Sequence, residues 1–185
     1  MGAKPIGSRE NGRVVITRTA TPEDAAAVAG VHVRSWQVAY RGLFPDEYLD
    51  GLRAEDRMAR YTFGETGTGL TTIVAVDDGT LCGFATTGPA QDDDVEGAGE
   101  VYALYVDPGA WGRGVGRLLM AKARTDIGRH RGCSQAVLWV LVGNRRAQHF
   151  YRADGWLPDG GRRVETIWGV WADLARWRSR VDGST

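Results

Sequence analysis

Leu104-Tyr105-Val106-Asp107-Pro108-Gly109-Ala110-Trp111-Gly112-Arg113-Gly114-Val115-Gly116-Arg117-Leu118-Leu119 is the stretch that decides the fold. It begins as a strand, Glu100–Val106, closed by the turn Asp107-Pro108-Gly109. A glycine segment, Gly112–Gly116, then opens a helix with Val115, Leu119, Ala123 and Ile127 at helical spacing. Glycine lets a backbone approach a ligand closely, and the free N–H groups of a helix start favour anions such as phosphate. A G-x-G-x-x-G fingerprint fails here because Arg117 stands at the third glycine position, and no G-x-x-x-x-G-K-[ST] is present. A nucleotide-binding oxidoreductase is thereby disfavoured.

Outward from this segment the chain alternates strands and helices. Upstream, Arg13–Ala20 reads as a first strand. Thr21-Pro22-Glu23-Asp24 reads as a helix start, with Thr as N-cap and Pro at the first position. That helix is expected to run to about Tyr40, and a second helical stretch covers about Pro45–Tyr61, broken near Gly51. Leu70–Val76 and Thr80–Thr87 flank the hairpin signal Asp78-Gly79, and Gly88–Gly99 reads as a loop. Downstream, Ala136–Val142 is an apolar run suited to a buried central strand, and Asn144–Ala153 is a short helix ended by Asp154-Gly155. Val164–Arg178 supplies one or two closing strands. Hairpins beside a strand–helix–strand unit predict an α/β class with a mixed sheet. Residues 1–12 read as a flexible tail, and 13–181 as a single domain.

Composition narrows the function. The chain has 185 residues, with 23 Lys+Arg against 23 Asp+Glu. Zero net charge argues against a nucleic-acid binder driven by bulk charge. No apolar run reaches the roughly 18 residues of a membrane span, and the first twelve residues offer no apolar signal segment. A cytoplasmic enzyme or ligand binder is expected. Cys82 and Cys133 make neither a disulfide framework nor a metal site, so no metal is expected. The neutral total is unevenly spread. Trp111–Arg152 carries nine Lys/Arg against Asp126 alone, whereas Thr71–Glu100 carries seven acids and no Lys or Arg. The basic segment suits an anionic ligand, and the acidic loop Asp92, Asp93, Asp94 and Glu96 suits a cationic one; solvated surface charge is the commoner reading of either, and charge alone does not decide.

The Leu104–Leu119 stretch resembles motif A of the GNAT superfamily of N-acetyltransferases, with Trp111 where the family usually has Gln or Arg. Some 40 residues on, Asn144-Arg145-Arg146-Ala147-Gln148-His149-Phe150-Tyr151, then Gly155-Trp156, resembles its motif B. The resemblance implies the acyl-CoA N-acyltransferase fold from Arg13 onward: a mostly antiparallel sheet of about six or seven strands flanked by about four helices. It implies acetyl-CoA as acetyl donor and an amine as acceptor. Cofactor contacts are then expected at Leu104, Tyr105, Val106, Trp111, Gly112, Arg113, Gly114, Val115, Gly116, Arg117, Leu118, Asn144 and Arg146. Main-chain groups of Leu104 and Val106 would hold the pantetheine arm, and the Leu104 N–H would polarise the thioester. Loop amides from Arg113 to Leu118 would hold phosphate, and Asn144 would bond the pantetheine.

By the same resemblance Tyr151 is the candidate acid for the departing thiolate, against a plain core role beside Phe150. Glu100 is the candidate base, against an ordinary strand-entry carboxylate. Trp36 and Tyr40 are candidates for the acceptor pocket, although four-residue spacing also suits simple packing, and His32 on the same face reads as a packing histidine. Trp168, Trp171 and Trp177 read as core or interface anchors, which suits a homodimer. The reading is direct acetyl transfer from acetyl-CoA to a primary amine, with no metal. The alternative is a non-catalytic acyl-CoA-binding sensor or scaffold.

Overall fold

The computed structural model describes residues 7–10, 13–64 and 69–181. Along the chain come β1 (Gly7–Glu10), β2 (Arg13–Thr19), α1 (Ala25–Ala39), α2 (Asp46–Gly51), α3 (Glu55–Met58), β3 (Thr71–Asp77), β4 (Thr80–Pro89) and β5 (Gly99–Val106). These are followed by α4 (Val115–Thr125), β6 (Gln135–Leu141), α5 (Arg145–Ala153), β7 (Leu157–Ile167) and β8 (Val170–Arg180). The strands form one sheet in the order β1-β2-β3-β4-β5-β6-β8-β7. Every neighbouring pair is antiparallel except β5 and β6. The sheet thus has one strand more than the six or seven expected. The addition is β1, whose residues Gly7–Glu10 were expected in a tail but pair with Arg13–Ile16. An edge strand is held by backbone hydrogen bonds and needs no apolar pattern, so composition gave no sign of it. The rest of the expected tail lies outside the described residues.

Both faces of the sheet are covered, and side chains sort to them by alternation along each strand. Ile73 and Ala75 join Val115, Leu119, Met120, Ala123 and Ile127 on the α4 face, while Val74 packs with Val28 and Val31 of α1 on the other. Leu119 is fully buried, and its truncation to Ala would cost about 2–5 kcal/mol. The expected Thr-Pro helix start holds in modified form. Pro22–Asp24 is a 3-10 turn leading into α1, and Asp24 accepts the Thr21 N–H at 2.8 Å while pairing with Arg18 at 2.6 Å.

Two irregularities shape the middle of the sheet. Thr86 lies opposite Ala103 and Thr87 opposite Val101, so Tyr102 is an extra residue that bends β5. On its other side β5 pairs with β6 only at Gly99–Ala136, Glu100–Val137 and Val101–Leu138. Beyond those three pairs the strands part.

Of the tryptophans read as core or interface anchors, Trp177 is core and Trp171 is 76% exposed on the single chain. It lies on β8 opposite Thr166 of the edge strand β7, beyond the cover of the helices.

Candidate active site

The gap between β5 and β6 opens into a cleft of about 780 Å³. The phase of hydrogen bonding along β5 decides what faces it. Asp107 N–H donates to the Cys82 carbonyl at 2.9 Å, so alternation turns Tyr105 and Ala103 toward β4. The N–H and C=O groups of Leu104 and Val106 therefore point toward β6, where beyond Val101 no strand pairs with them among the described residues. The Val106 carbonyl accepts from the Ser35 hydroxyl at 2.9 Å and the Trp111 indole N–H at 2.8 Å. The Leu104 and Val106 N–H groups line an open strand edge.

At one end of that edge the glycine segment turns into α4. Gly112 and Gly114 both have φ +76°, the left-handed region that favours glycine, and Gly114 is the N-cap of α4. The first N–H groups of an eleven-residue helix thus face the cleft, with Val115, Gly116 and Arg117 along its wall. Gly116 serves close approach: a Cβ there would come 3.3 Å from Phe150 of α5. Trp111 is clamped by its indole hydrogen bond and by the Arg146 guanidinium, 3.7 Å from its ring centroid. Arg145 and Arg146 add positive charge to the cleft lining.

The opposite wall is α5. Asn144 is buried, and its side-chain oxygen caps α5 by accepting the Ala147 N–H at 3.1 Å; its NH2 is the group left to serve the cleft it lines. Tyr151 packs against Phe150 and Trp156, and burial, with Tyr105 and Asp154 nearby, pushes its phenol well above the ordinary value. It is a neutral O–H donor throughout the working range. Tyr40 and Tyr105 reach the same region with hydroxyls 3.4 Å apart, and burial raises both.

Not every expected residue reaches the cleft. Arg113 turns out to a separate depression, where it lies 3.4 Å from Asp77, and the Leu118 side chain is not in the lining. Any part these two have at the cleft falls to their main chain. Trp36 stands behind Tyr40 rather than in the cleft. Glu100 is 3% exposed and outside the cleft lining. Its neighbour Gly99 abuts Ile127 on the α4 face, so alternation sends the Glu100 side chain to the opposite face. There burial, together with Asp92 and Glu165, lifts its pKa to about 7 against the pull of Arg163 and the Gln91 N–H.

The acidic loop is not a free anionic surface. Arg176, 5% exposed, holds Asp94 at 2.5 Å, Asp92 at 3.4 Å and Asp159 at 2.9 Å. Asp92 also accepts the Trp139 indole N–H at 3.1 Å and lies 3.7 Å from Arg163. Only Asp93 and Glu96 of the four remain exposed without such a partner among the described residues. Sequence reading missed these cations because they lie some 80 residues away on the closing hairpin. It also did not single out Ser35, on the helix whose Trp36 and Tyr40 were the acceptor-pocket candidates, or Trp139, on the strand read as buried; both line the cleft. Among the described residues no group of three or more His, Cys, Asp or Glu side chains is placed to hold a metal ion.

A parted parallel strand pair, an open β5 edge and a glycine turn into α4 are the shared architecture of one class, the acyl-CoA N-acyltransferase fold. The profile of the Acetyltransferase (GNAT) family matches residues 33–156, and the chain belongs to that family. It is 32% identical over 179 residues to YuaI of Bacillus subtilis, an N-acetyltransferase itself uncharacterised, covering 91% of this chain and 99% of that one. Among solved structures, PaiA N-acetyltransferase of Thermoplasma acidophilum in complex with coenzyme A superposes with a TM-score of 0.66 at 20% identity, covering 88% of this chain and 97% of that one. YncA of Salmonella typhimurium, a putative acetyltransferase with its cofactor acetyl-CoA, gives 0.65 at 21%, covering 91% and 94%. These structures share the fold.

Proposed function

We propose that this acetyltransferase takes acetyl-CoA as donor and transfers the acetyl group directly to a primary amine. The observation that carries the reading is the continuity of the open Leu104–Val106 edge with the α4 N-terminus. An extended amide-bearing arm ending in pyrophosphate fits that shape: strand-like hydrogen bonds along the arm, then backbone N–H groups and Arg145 and Arg146 at the phosphates. Asn144 NH2 is placed to bond the arm from the other side. The Leu104 N–H, fixed by the sheet, stabilises the negative charge that develops on the thioester oxygen as the amine attacks. Tyr151, neutral and half-buried, gives its proton to the departing thiolate. Glu100, half-ionised near neutrality, takes the amine proton through water, since its carboxyl does not line the cleft. Positioning and carbonyl polarisation supply most of the rate.

The test is release of free thiol from acetyl-CoA, followed with a chromogenic disulfide across a panel of primary amines. Amine-dependent release supports the enzyme. Tight acetyl-CoA binding without release for any amine supports a non-catalytic acyl-CoA sensor instead.

A further inference from the structure

The cleft passes through the sheet rather than along one face of it. On the α5 side its wall is Leu104, Val106, Ala147, Phe150 and Tyr151, which pack with the α4 core. On the α1 side it is Tyr40, Tyr105, Trp139 and Leu141, which pack with a separate core beside Trp36 and Phe44. The donor contacts argued above lie along the β5 edge, at the start of α4 and at Asn144. An amine attacking the thioester across that edge has the α1 side to enter from.

Trp139 stands at the head of that side. Leu138 is the last β6 residue paired with β5, so Trp139 is the first beyond the fork. Alternation sends its side chain to the α1 face, while Val140 turns to the α4 core. The terminal torsion of an indole is broad, and half-burial in a cleft wall does not choose one orientation. Here the choice is made from outside β6. The Trp139 N–H donates to the Asp92 carboxylate at 3.1 Å, and the Arg163 guanidinium lies 4.2 Å from the ring centroid.

Asp92 belongs to the loop of residues 90–98, and that loop is itself pinned. Its base is closed by the Ala90 N–H on the Ala98 carbonyl at 2.9 Å, and Val95 within it is buried. Arg176, opposite Trp139 in the β6–β8 register, holds Asp92 at 3.4 Å and Asp94 at 2.5 Å. With Arg163 also 3.7 Å away, the Asp92 carboxylate has two guanidinium partners and needs no indole to answer its charge. What the indole hydrogen bond adds is a fixed ring.

We propose that Asp92 is a positioning residue for acetyl transfer: its hydrogen bond holds the Trp139 ring as the wall that places the acceptor amine against the Leu104 edge. The inference rests on the direct-transfer reading above. The acidic loop then serves the acceptor through geometry rather than as a free anionic surface. A misplacement of about 1 Å can cost about 10²-fold in rate, so a ring released to turn is felt by the acceptor and not by the donor.

The experiment follows thiol release from acetyl-CoA with 2-phenylethylamine, putrescine and alaninamide as acceptor probes, and acetyl-CoA affinity by titration. Asp92→Ala should lower the acceptor kcat/KM at least about tenfold and leave the Kd for acetyl-CoA within about twofold. Asp92→Asn, which keeps an oxygen for the indole N–H, should recover most of the loss. Trp139→Phe keeps a ring without the N–H and should show the same split between acceptor and donor. Adding Asp92→Ala to Trp139→Phe should then cost about twofold or less, because the two act as one unit. Wild-type acceptor kinetics in an Asp92→Ala variant that melts cooperatively, or its full loss repeated on the Trp139→Phe background, would overturn the inference and leave the transfer reading standing. Should Asp92→Ala fail to fold, Asp92→Asn and Trp139→Phe decide: near-wild-type acceptor kinetics in the first with the split in the second support the role, and no split in the second overturns it. If the wild type releases no thiol with these probes or any panel amine, the transfer reading falls and this inference with it.

Discussion

Glu100→Gln separates the structural burden of a buried carboxyl from its chemical use. The Glu100 carboxyl is 3% exposed and faces Asp92 and Glu165, and its pKa rises from 4.5 to about 7. In the unfolded chain it titrates near its ordinary value. Between about pH 4.5 and 7 the native state therefore holds a proton that the unfolded state has lost. The stability tied to this group is whole below that window, falls as pH rises through it, and stays lost above it. At 1.36 kcal/mol per pH unit the loss reaches about 3 kcal/mol. Gln has no proton to lose and keeps an oxygen for the Gln91 N–H. Urea unfolding followed by tryptophan fluorescence should find variant and wild type within about 0.5 kcal/mol near pH 4. Near pH 8.5 the variant should be more stable by up to about 3 kcal/mol. If Glu100 is also the base, the same variant should lose kcat/KM on the acidic limb and recover part of it at high pH, where more amine is already neutral. Equal stability at pH 8.5 refutes the buried-charge argument. A gain in stability with wild-type activity at every pH removes Glu100 from catalysis.

Tyr151→Phe should lower kcat by about 10–10³-fold with acetyl-CoA affinity nearly unchanged, as read by steady-state kinetics and a binding titration. Gly114→Asp puts a charged side chain at a left-handed N-cap facing the phosphate site; it should abolish the rise in Tm that acetyl-CoA gives the wild type while the unliganded protein still melts cooperatively. Arg176→Met strips the cation from Asp94 and leaves Arg163 and Arg178 as the cations at Asp92 and Asp159, so denaturant unfolding should show a loss of about 3 kcal/mol.

What the sequence disclosed and what it hid follow from the range of the forces involved. Gly112 and Gly114 were legible because a positive φ and a helix start are local demands, met by local residue choice. The same holds for Thr21-Pro22 before α1 and for Asp78-Gly79, whose φ values of +48° and +77° make the expected hairpin turn. Leu157–Arg163 was not legible as strand, because Pro158-Asp159-Gly160-Gly161 reads as a loop. The edge position of β7 tolerates proline and glycine, and β8 recruits the segment with a register shift between Pro158 and Arg162. Trp168 at a left-handed turn position runs against local preference and is held by rings more than a hundred residues upstream. The acidic loop misled for the same reason: its charge is set by Arg163 and Arg176, which only the folded sheet brings near. At the site, Leu104, Val106, Gly114 and Tyr151 lie on the cleft, as the family resemblance implied, whereas Glu100 and Trp36 do not, because strand alternation and one intervening ring decide the difference.

The three residue pairs that join β5 to β6 also set the mechanics of the molecule. The strands β1 to β5 form one stiff panel and β6, β8 and β7 another, fastened at one end by Gly99–Val101 against Ala136–Leu138 and free to spread at the other. Compliance is then concentrated where the strands part beyond Val101 and Leu138, while the fastened end hardly strains. A molecule bonded to both panels acts as a cross-brace, adding stiffness without adding to the core. Its arrival should register as damped breathing of the two panels, with slowed hydrogen exchange at the Leu104 and Val106 amides and little change in mean shape.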